Sequence, residues 1–364
     1  MNKQTLFEKR ASQAEDAINK YFHIHNRKYL GSKTKLLPFI KEVILGDVKK
    51  IETFVDGFAG TGVVGNHFAP YSERVIANDL LYSNYVILNT FLNLSRNSVS
   101  IEKIKELIAE LNALEGYQGY VYTNFSGTYF TEENATLIDA IREKIEYFYE
   151  TGKCTYPEKL VLLTSLLFAI DKVANTVGHY DAFLKNLGNN SYSESGKHMV
   201  DSNVYKRITL GIPAFNYYDR NEVYCEDINN LVQRIEGDVI YLDPPYNNRQ
   251  YIDCYHLLEN IALWQKPAVY GKTSKFERDH LKSDFSRKRK SSEAFRTLIE
   301  NIKANHIFLS YNNEGIIPDE TIMQIIESKG KVKIHEQPYS IFGNGAGKSS
   351  KRKITERIFY CRVF

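Results

Sequence analysis

The chemistry in this chain is concentrated at Asp243-Pro244-Pro245-Tyr246, which follows the apolar run of residues 238–242 and so stands where a buried strand ends. A residue before proline is driven out of the helical region and proline holds φ near about −65°, so these four residues form a stiff extended turn. In an open α/β sheet, ligands bind beyond the carboxyl ends of the strands. The Asp243 carboxylate and the Pro244 carbonyl make a rigid pair of acceptors for an exocyclic amino group, and Tyr246 offers a face on which a planar base stacks. An enzyme that methylates an amino group needs these parts. A bare proline turn with a surface tyrosine is the plainer reading, and the aspartate in front with the tyrosine behind weighs against it.

A second group lies upstream. Gly60-Thr-Gly-Val-Val-Gly65 has the dinucleotide-binding spacing, and Asp79 follows the first glycine by 19 residues, close to the ribose-binding acid of that pattern. Taken alone this suggests a nicotinamide cofactor or a tight turn with no ligand. The same geometry suits S-adenosylmethionine, for which Asp56 is a carboxylate near the methionine or sulfonium end, Asp79 an acceptor for the ribose hydroxyls, and Phe58 a neighbouring aromatic. A nicotinamide enzyme has no use for Asp-Pro-Pro-Tyr on a later strand, whereas an amino-methyltransferase needs both. Gly347-Lys348-Ser349 resembles the end of a phosphate loop, but Gly343 is one residue too close for the required spacing. The His/Cys spacings of a zinc deaminase are missing, and no metal is expected.

These groups need a frame. Residues 5–22 read as an amphipathic helix, followed by the basic-aromatic loop 26–33, a helix over 35–45 and a strand over 52–56 that runs into the glycine turn. A helix from Val63 and a strand over 74–77 complete a unit of the doubly wound type. Between about 101 and 225 the pattern changes to helices, over 131–150 and 158–173, separated by tyrosine- and asparagine-rich loops at 117–130 and 180–205. Strands resume at 238–242, 306–310, 331–335 and 357–363, the last two flanking a glycine-rich loop at 343–348 as an antiparallel edge hairpin. The simplest account is one α/β domain split by an insertion.

Composition permits this without requiring it. The chain has 364 residues, 43% hydrophobic and 25% charged, with a net charge of only +3. Basic side chains cluster at 287–290, at Lys348 with 351–353, and around Arg27, Lys28, Lys33 and Lys35, where they support nucleic-acid binding only in company with other features. Cys154, Cys225, Cys254 and Cys361 are too far apart for a redox or metal motif and read as free thiols in a reducing cytoplasm. There is no signal-peptide core and no membrane-length apolar run.

In this order the motifs resemble those of the Dam-like (alpha-group) adenine-specific DNA methyltransferases. Tyr29-Leu-Gly-Ser-Lys33 is similar to that family's N-terminal cofactor motif, Phe58-Ala-Gly-Thr-Gly62 to its FxGxG, Asn78-Asp79 to the acid closing the second strand, and Cys225-Glu-Asp227 to the acid upstream of DPPY. Residues 307–312 look like its later strand with a Ser-x-Asn type end. The resemblance implies a Rossmann-like S-adenosylmethionine-dependent methyltransferase fold: a mostly parallel seven-stranded sheet with an antiparallel edge hairpin, plus a mainly helical target-recognition insertion. The implied boundaries are a helical extension over 1–26, a catalytic domain over 27–99 and 222–364, and an insertion over 100–221. The implied cofactor residues are Tyr29, Lys33, Asp56, Phe58, Gly60, Gly62, Asp79, Asp227 and Asp243, with Asp243, Pro244, Pro245 and Tyr246 in catalysis.

The resemblance further implies transfer of a methyl group to the 6-amino nitrogen of a flipped-out adenine, double-stranded DNA as partner, either a restriction-modification role with a separate cognate endonuclease or an orphan methylase, and a cytoplasmic, nucleoid-associated place. Lys206, Arg207 and Arg220 are candidates for contacts with phosphates or guanine edges. The aromatic stripe from Tyr117 to Phe130 is open to two readings, DNA contact or core. The rivals are the same chemistry on RNA adenine, a catalytically inactive DNA-binding module and a nicotinamide oxidoreductase.

Overall fold

A computed structural model of the chain describes residues 21–184, 187, 201–341 and 352–364. It divides into two compact units, one of residues up to Leu30 with Val86–Asp219 and Asp253–Glu277, the other of Gly31–Tyr85, Arg220–Ile252 and Arg278–Phe364.

The second unit is a seven-stranded sheet. Its strands are β1 (Ile51–Asp56), β2 (Ser72–Asn78), β3 (Glu222–Tyr224), β4 (Gly237–Leu242), β5 (Ala304–Asn312), β6 (Gly330–Ile341) and β7 (Arg352–Val363), in spatial order β3-β2-β1-β4-β5-β7-β6. The first five strands of that order run parallel, and β7 pairs antiparallel with both β5 and β6. This is the doubly wound order with one reversed strand inserted near its edge, and the strand order reverses between β1 and β4, where such sheets place their ligands. Parallel strands covered on both faces need continuous apolar runs. Phe54 and Val55 in β1 and Val239 to Leu242 in β4 are all buried accordingly. The core on one face joins Ile228, Leu231, Phe285, Phe295, Leu298, Ile322 and Ile326 to the sheet.

The other unit is mainly helical. The long helix Glu132–Glu150 starts at a Thr131 cap, and Tyr156–Val173 opens with a reciprocal capping box between Thr155 and Glu158. The region 117–130 is not simply a loop, because Tyr120–Phe125 forms a helical turn. Its amide groups find an acceptor elsewhere in sequence. The buried Asp139 carboxylate takes hydrogen bonds from the backbone of Gly119, Val121 and Tyr122 at 3.1, 2.8 and 2.8 Å. Phe125, Tyr129 and Phe130 are fully buried, so most of that aromatic stripe is core. The expected helix over 5–22 lies outside the described residues up to residue 20, and Tyr21–Phe22 is instead a short strand beside Ile212–Pro213. The loop at 343–348 and most of 180–205 also lie outside the described residues. No helix among the described residues is long and apolar enough to cross a membrane.

Candidate active site

The site is assembled within the sheet unit at the carboxyl ends of the adjacent strands β1 and β4. Asp56 ends β1 opposite Tyr241 in register, and the next amide, Gly57 N–H, donates to the Tyr241 carbonyl at 3.0 Å. A side chain at Gly57 would press on Leu242 at 3.0 Å, so the turn passes close against β4. The chain then doubles back through Gly60 and Gly62, at φ +52° and +78°, a left-handed conformation that costs glycine little. Ala59 N–H donates to the Asn78 carbonyl at 2.8 Å, holding the turn to β2.

The acids of this turn divide the work. Asp56 is buried and accepts from Gly65 N–H at 2.8 Å. Burial pushes its carboxyl up to about 7, Asp243 and Asp79 add to the rise, and the Gly65 hydrogen bond opposes it. Asp79 braces the glycine turn directly. One oxygen accepts from Gly60 N–H at 2.9 Å, and the other from Leu81 N–H and the Asn84 amide, each at 2.9 Å. Asp227 caps the short helix Ile228–Leu231 by accepting from Asn229 N–H at 2.8 Å. Phe58 packs edge-on against Phe285, centroids 5.0 Å apart.

At the end of β4 the Asp243 carboxylate meets Lys33, whose ammonium lies 2.8 Å from Oδ1. The same ammonium is 3.7 Å from Glu356, which in turn accepts from the Ser310 hydroxyl at 2.6 Å. Asp243 Oδ2 has no hydrogen-bond partner among the described residues. Burial raises the Asp243 carboxyl to about 6, with Lys33 pulling it down and Glu356 pushing it up. Lys33 is held well above its ordinary range by Asp243 and Glu356, which together outweigh its burial. The Tyr246 ring stands edge-on to Tyr311 at 6.4 Å, and its backbone carbonyl accepts from Ile316 N–H. The Lys33 ammonium is 5.7 Å from the Tyr246 ring centre.

The structure thus brings together Lys33, Asp56, Phe58, Gly60, Gly62, Asp79, Asp227, Asp243, Pro244, Pro245 and Tyr246 in one unit. Tyr29 belongs to the helical unit, where its ring stacks on Tyr255 at 4.5 Å and the Arg27 guanidinium sits over it. Lys206 and Arg207 are also in that unit. The Lys206 ammonium bonds Asn203, and Arg207 is held by Glu133 and the Leu114 carbonyl. Arg220 is exposed in the sheet unit, 3.8 Å from Glu73.

Sequence reasoning did not include Glu356, which no local motif marks, or Phe285, which only the fold brings to Phe58. His179, Asp181 and Cys254 in the helical unit gather polar atoms within 4.8 Å of one another, but Asp181 is already paired with Lys275.

Comparison with known proteins gives these features a context. The family model for D12 class N6 adenine-specific DNA methyltransferases matches residues 29–325. Modification methylase StsI of Streptococcus sanguinis is 36% identical over 351 residues, covering 92% of this chain and 51% of its own length. Type II methyltransferase M.NlaIII of Neisseria lactamica is 35% identical over 345 residues, covering 92% and 98%, and type II methyltransferase M.FokI of Planomicrobium okeanokoites is 35% identical over 350 residues, covering 92% and 52%. The chain therefore spans about half the length of two of these relatives and nearly all of the third. A model match across most of the sequence, with the glycine turn and the Asp-Pro-Pro-Tyr turn on neighbouring strands of one sheet, shows that the chain belongs to the D12 class N6 adenine-specific DNA methyltransferase family.

Proposed function

We propose that the chain methylates the 6-amino nitrogen of adenine in double-stranded DNA, using S-adenosylmethionine, and that it is of the Dam-like (alpha-group) kind. The order of its motifs, glycine turn first, helical segment second and Asp-Pro-Pro-Tyr third, supports that finer assignment. One observation carries the reading: Asp243 is anchored through Oδ1 by Lys33, with Oδ2 left for a ligand, at the end of the strand next to the glycine turn.

The residues fit the cofactor. Gly60 and Gly62 leave the backbone bare where it turns, Asp56 and Asp79 supply carboxylates on either side, and Phe58 supplies an aromatic surface. When bound, S-adenosylmethionine provides an electrophilic methyl group. The protein's part concerns the amine. The adenine amino nitrogen is a poor nucleophile because its lone pair is delocalised into the ring. Asp243 Oδ2 and the Pro244 carbonyl accept hydrogen bonds from its two N–H groups and localise that pair, acting most strongly as positive charge develops on nitrogen. The surplus proton then leaves through Asp243. Lys33 keeps the carboxylate ionised and aimed, and Tyr246 stacks on the extruded base, offsetting the few kcal/mol lost on unstacking.

We assign choice of DNA sequence to the segment 100–221, with Lys206, Arg207 and Arg220 as contacts to be tested, and a role in restriction-modification beside a separate endonuclease. The direct test is incubation with methyl-labelled S-adenosylmethionine and duplex DNA, followed by nucleoside analysis. Label in N6-methyladenine is expected, and label on RNA alone or on no nucleic acid would overturn the assignment.

A further inference from the structure

The basic run at 287–290 has no part in the chemistry above, yet it is built onto the active site. The segment after Tyr246 is tied to it at three points. The Gln250 side chain donates to the Ser283 carbonyl at 3.0 Å and accepts from Ser283 N–H at 2.9 Å, and the Ser286 hydroxyl donates to the Arg249 carbonyl at 3.1 Å. The turn itself is closed by Arg287 N–H to Asp284 and Lys290 N–H to Arg287, at 3.1 and 2.8 Å. Between them Phe285 is buried in the core and packs edge-on against Phe58 of the glycine turn. The backbone carrying these cations is therefore fixed to the glycine turn and to the segment that directly follows the Asp-Pro-Pro-Tyr turn.

Its charge is concentrated and only partly neutralised. Residues 278–290 hold six lysines and arginines against two aspartates, a surplus of four in a chain whose whole net charge is +3. Arg287 and Lys290 share Asp284, each at 3.2 Å. Lys288 and Arg289 are exposed and make no ion pair among the described residues, and Arg249, three residues beyond Tyr246, is exposed as well. An ordinary solvated surface does not need its backbone tied both to the segment just past Tyr246 and, through Phe285, to the glycine turn.

We propose that Lys288, Arg289 and Arg249 form a phosphate-binding surface for the DNA strand that carries the target adenine, holding the backbone beside the extruded nucleotide. The proposal rests on the reading of the site as a DNA adenine methyltransferase. Cations placed there hold the sugar-phosphate chain while its base is out of the stack, and they carry no sequence information.

The test uses the full chain and two labelled duplexes, one containing a site that the wild type methylates and one lacking it. In Lys288→Gln with Arg289→Gln, affinity for both duplexes should fall about ten- to a hundredfold at low salt, and the slope of log affinity against log salt should shrink by about 1.8, the value for two lost phosphate contacts. The methylated sequence and affinity for S-adenosylhomocysteine should stay as in the wild type, the latter also reporting an intact fold. Charge reversal, Lys288→Glu with Arg289→Glu, should deepen the loss. Unchanged affinity and slope in both double variants, or a loss confined to the methylated sequence, overturns the phosphate surface. A wild-type chain that methylates no adenine in DNA overturns the activity itself, an outcome read before any variant is made.

Discussion

In the proposed reaction Asp243 meets the most exacting demand, because it must be ionised to accept a hydrogen bond from an amine yet sits where burial favours the proton. With its carboxyl at about 6, methyl transfer should fall as pH drops through 6, and a kcat/KM profile on DNA should show that acid limb. Lys33 lowers this value, so Lys33→Met should move the limb to higher pH as well as weaken the reaction. A limb that does not move would show that Lys33 has no electrostatic hold on Asp243. Asp243→Ala should cost about 10²–10³-fold in kcat, the scale for removing one preorganised group that meets developing charge, and leave DNA binding in a gel-shift assay. Tyr246→Ala should cost about 1–3 kcal/mol of base stacking while Tyr246→Phe retains activity. Need for the hydroxyl would remove the stacking account. Asp56 poses the opposite question. Its folded value of about 7 stands above an ordinary aspartate near 3.8, so the native state holds a proton that the unfolded chain has released. Stability is then lost as pH rises from about 4 to 7. Asp56→Asn should flatten that slope in melting curves across the same range.

Elements show why some of this was legible in the sequence and some was not. Strands β1, β4 and β5 announce themselves because burial on both faces demands unbroken apolar runs, and the glycine and proline residues at their ends mark the turns. β3 escaped notice since Glu222–Tyr224 is three half-buried residues with no apolar run of its own, held to β2 by backbone pairing and by the Arg74–Glu222 ion pair. The helical turn Tyr120–Phe125 was hidden for another reason. The acceptor for its first amides is Asp139, which lies on the following helix, and no local cap signals it. Lys33 was found through its motif, while its bridge to Glu356 depends on a strand 323 positions later in the chain. Arg142 belongs to this class of cryptic support. Buried in the helical unit, it donates to the Ile261 and Ala262 carbonyls at 2.7 and 3.0 Å near the end of Tyr251–Leu263, and it pairs with Glu146. Arg142→Met should destabilise the protein by about 1–3 kcal/mol in denaturant titration, because it leaves the buried Ile261 and Ala262 carbonyls without their donor, while Glu146 keeps its ion pair with Lys159.

For the molecule as a whole, the proposed division of labour gives the chemistry to the sheet unit and the choice of sequence to the segment 100–221, which lies in the helical unit up to Asp219. Grafting the equivalent of residues 100–221 from a relative with a different target should change which adenines are methylated in an expressing cell while the modified atom stays N6. Sequencing that reports the old target would refute the division of labour. Strand order also bears on how the protein comes into being. β7 lies between β5 and β6, so two strands already synthesised must leave room for the last one, and Glu356 on that strand completes the charge cluster around Lys33. In chain order β1, β2 and β4, with both signature turns, are all synthesised before that glutamate. Long-range pairing of this kind is slow to form. The charge cluster at Lys33 is thus completed only when residues 352–363 have been made and paired between β5 and β6.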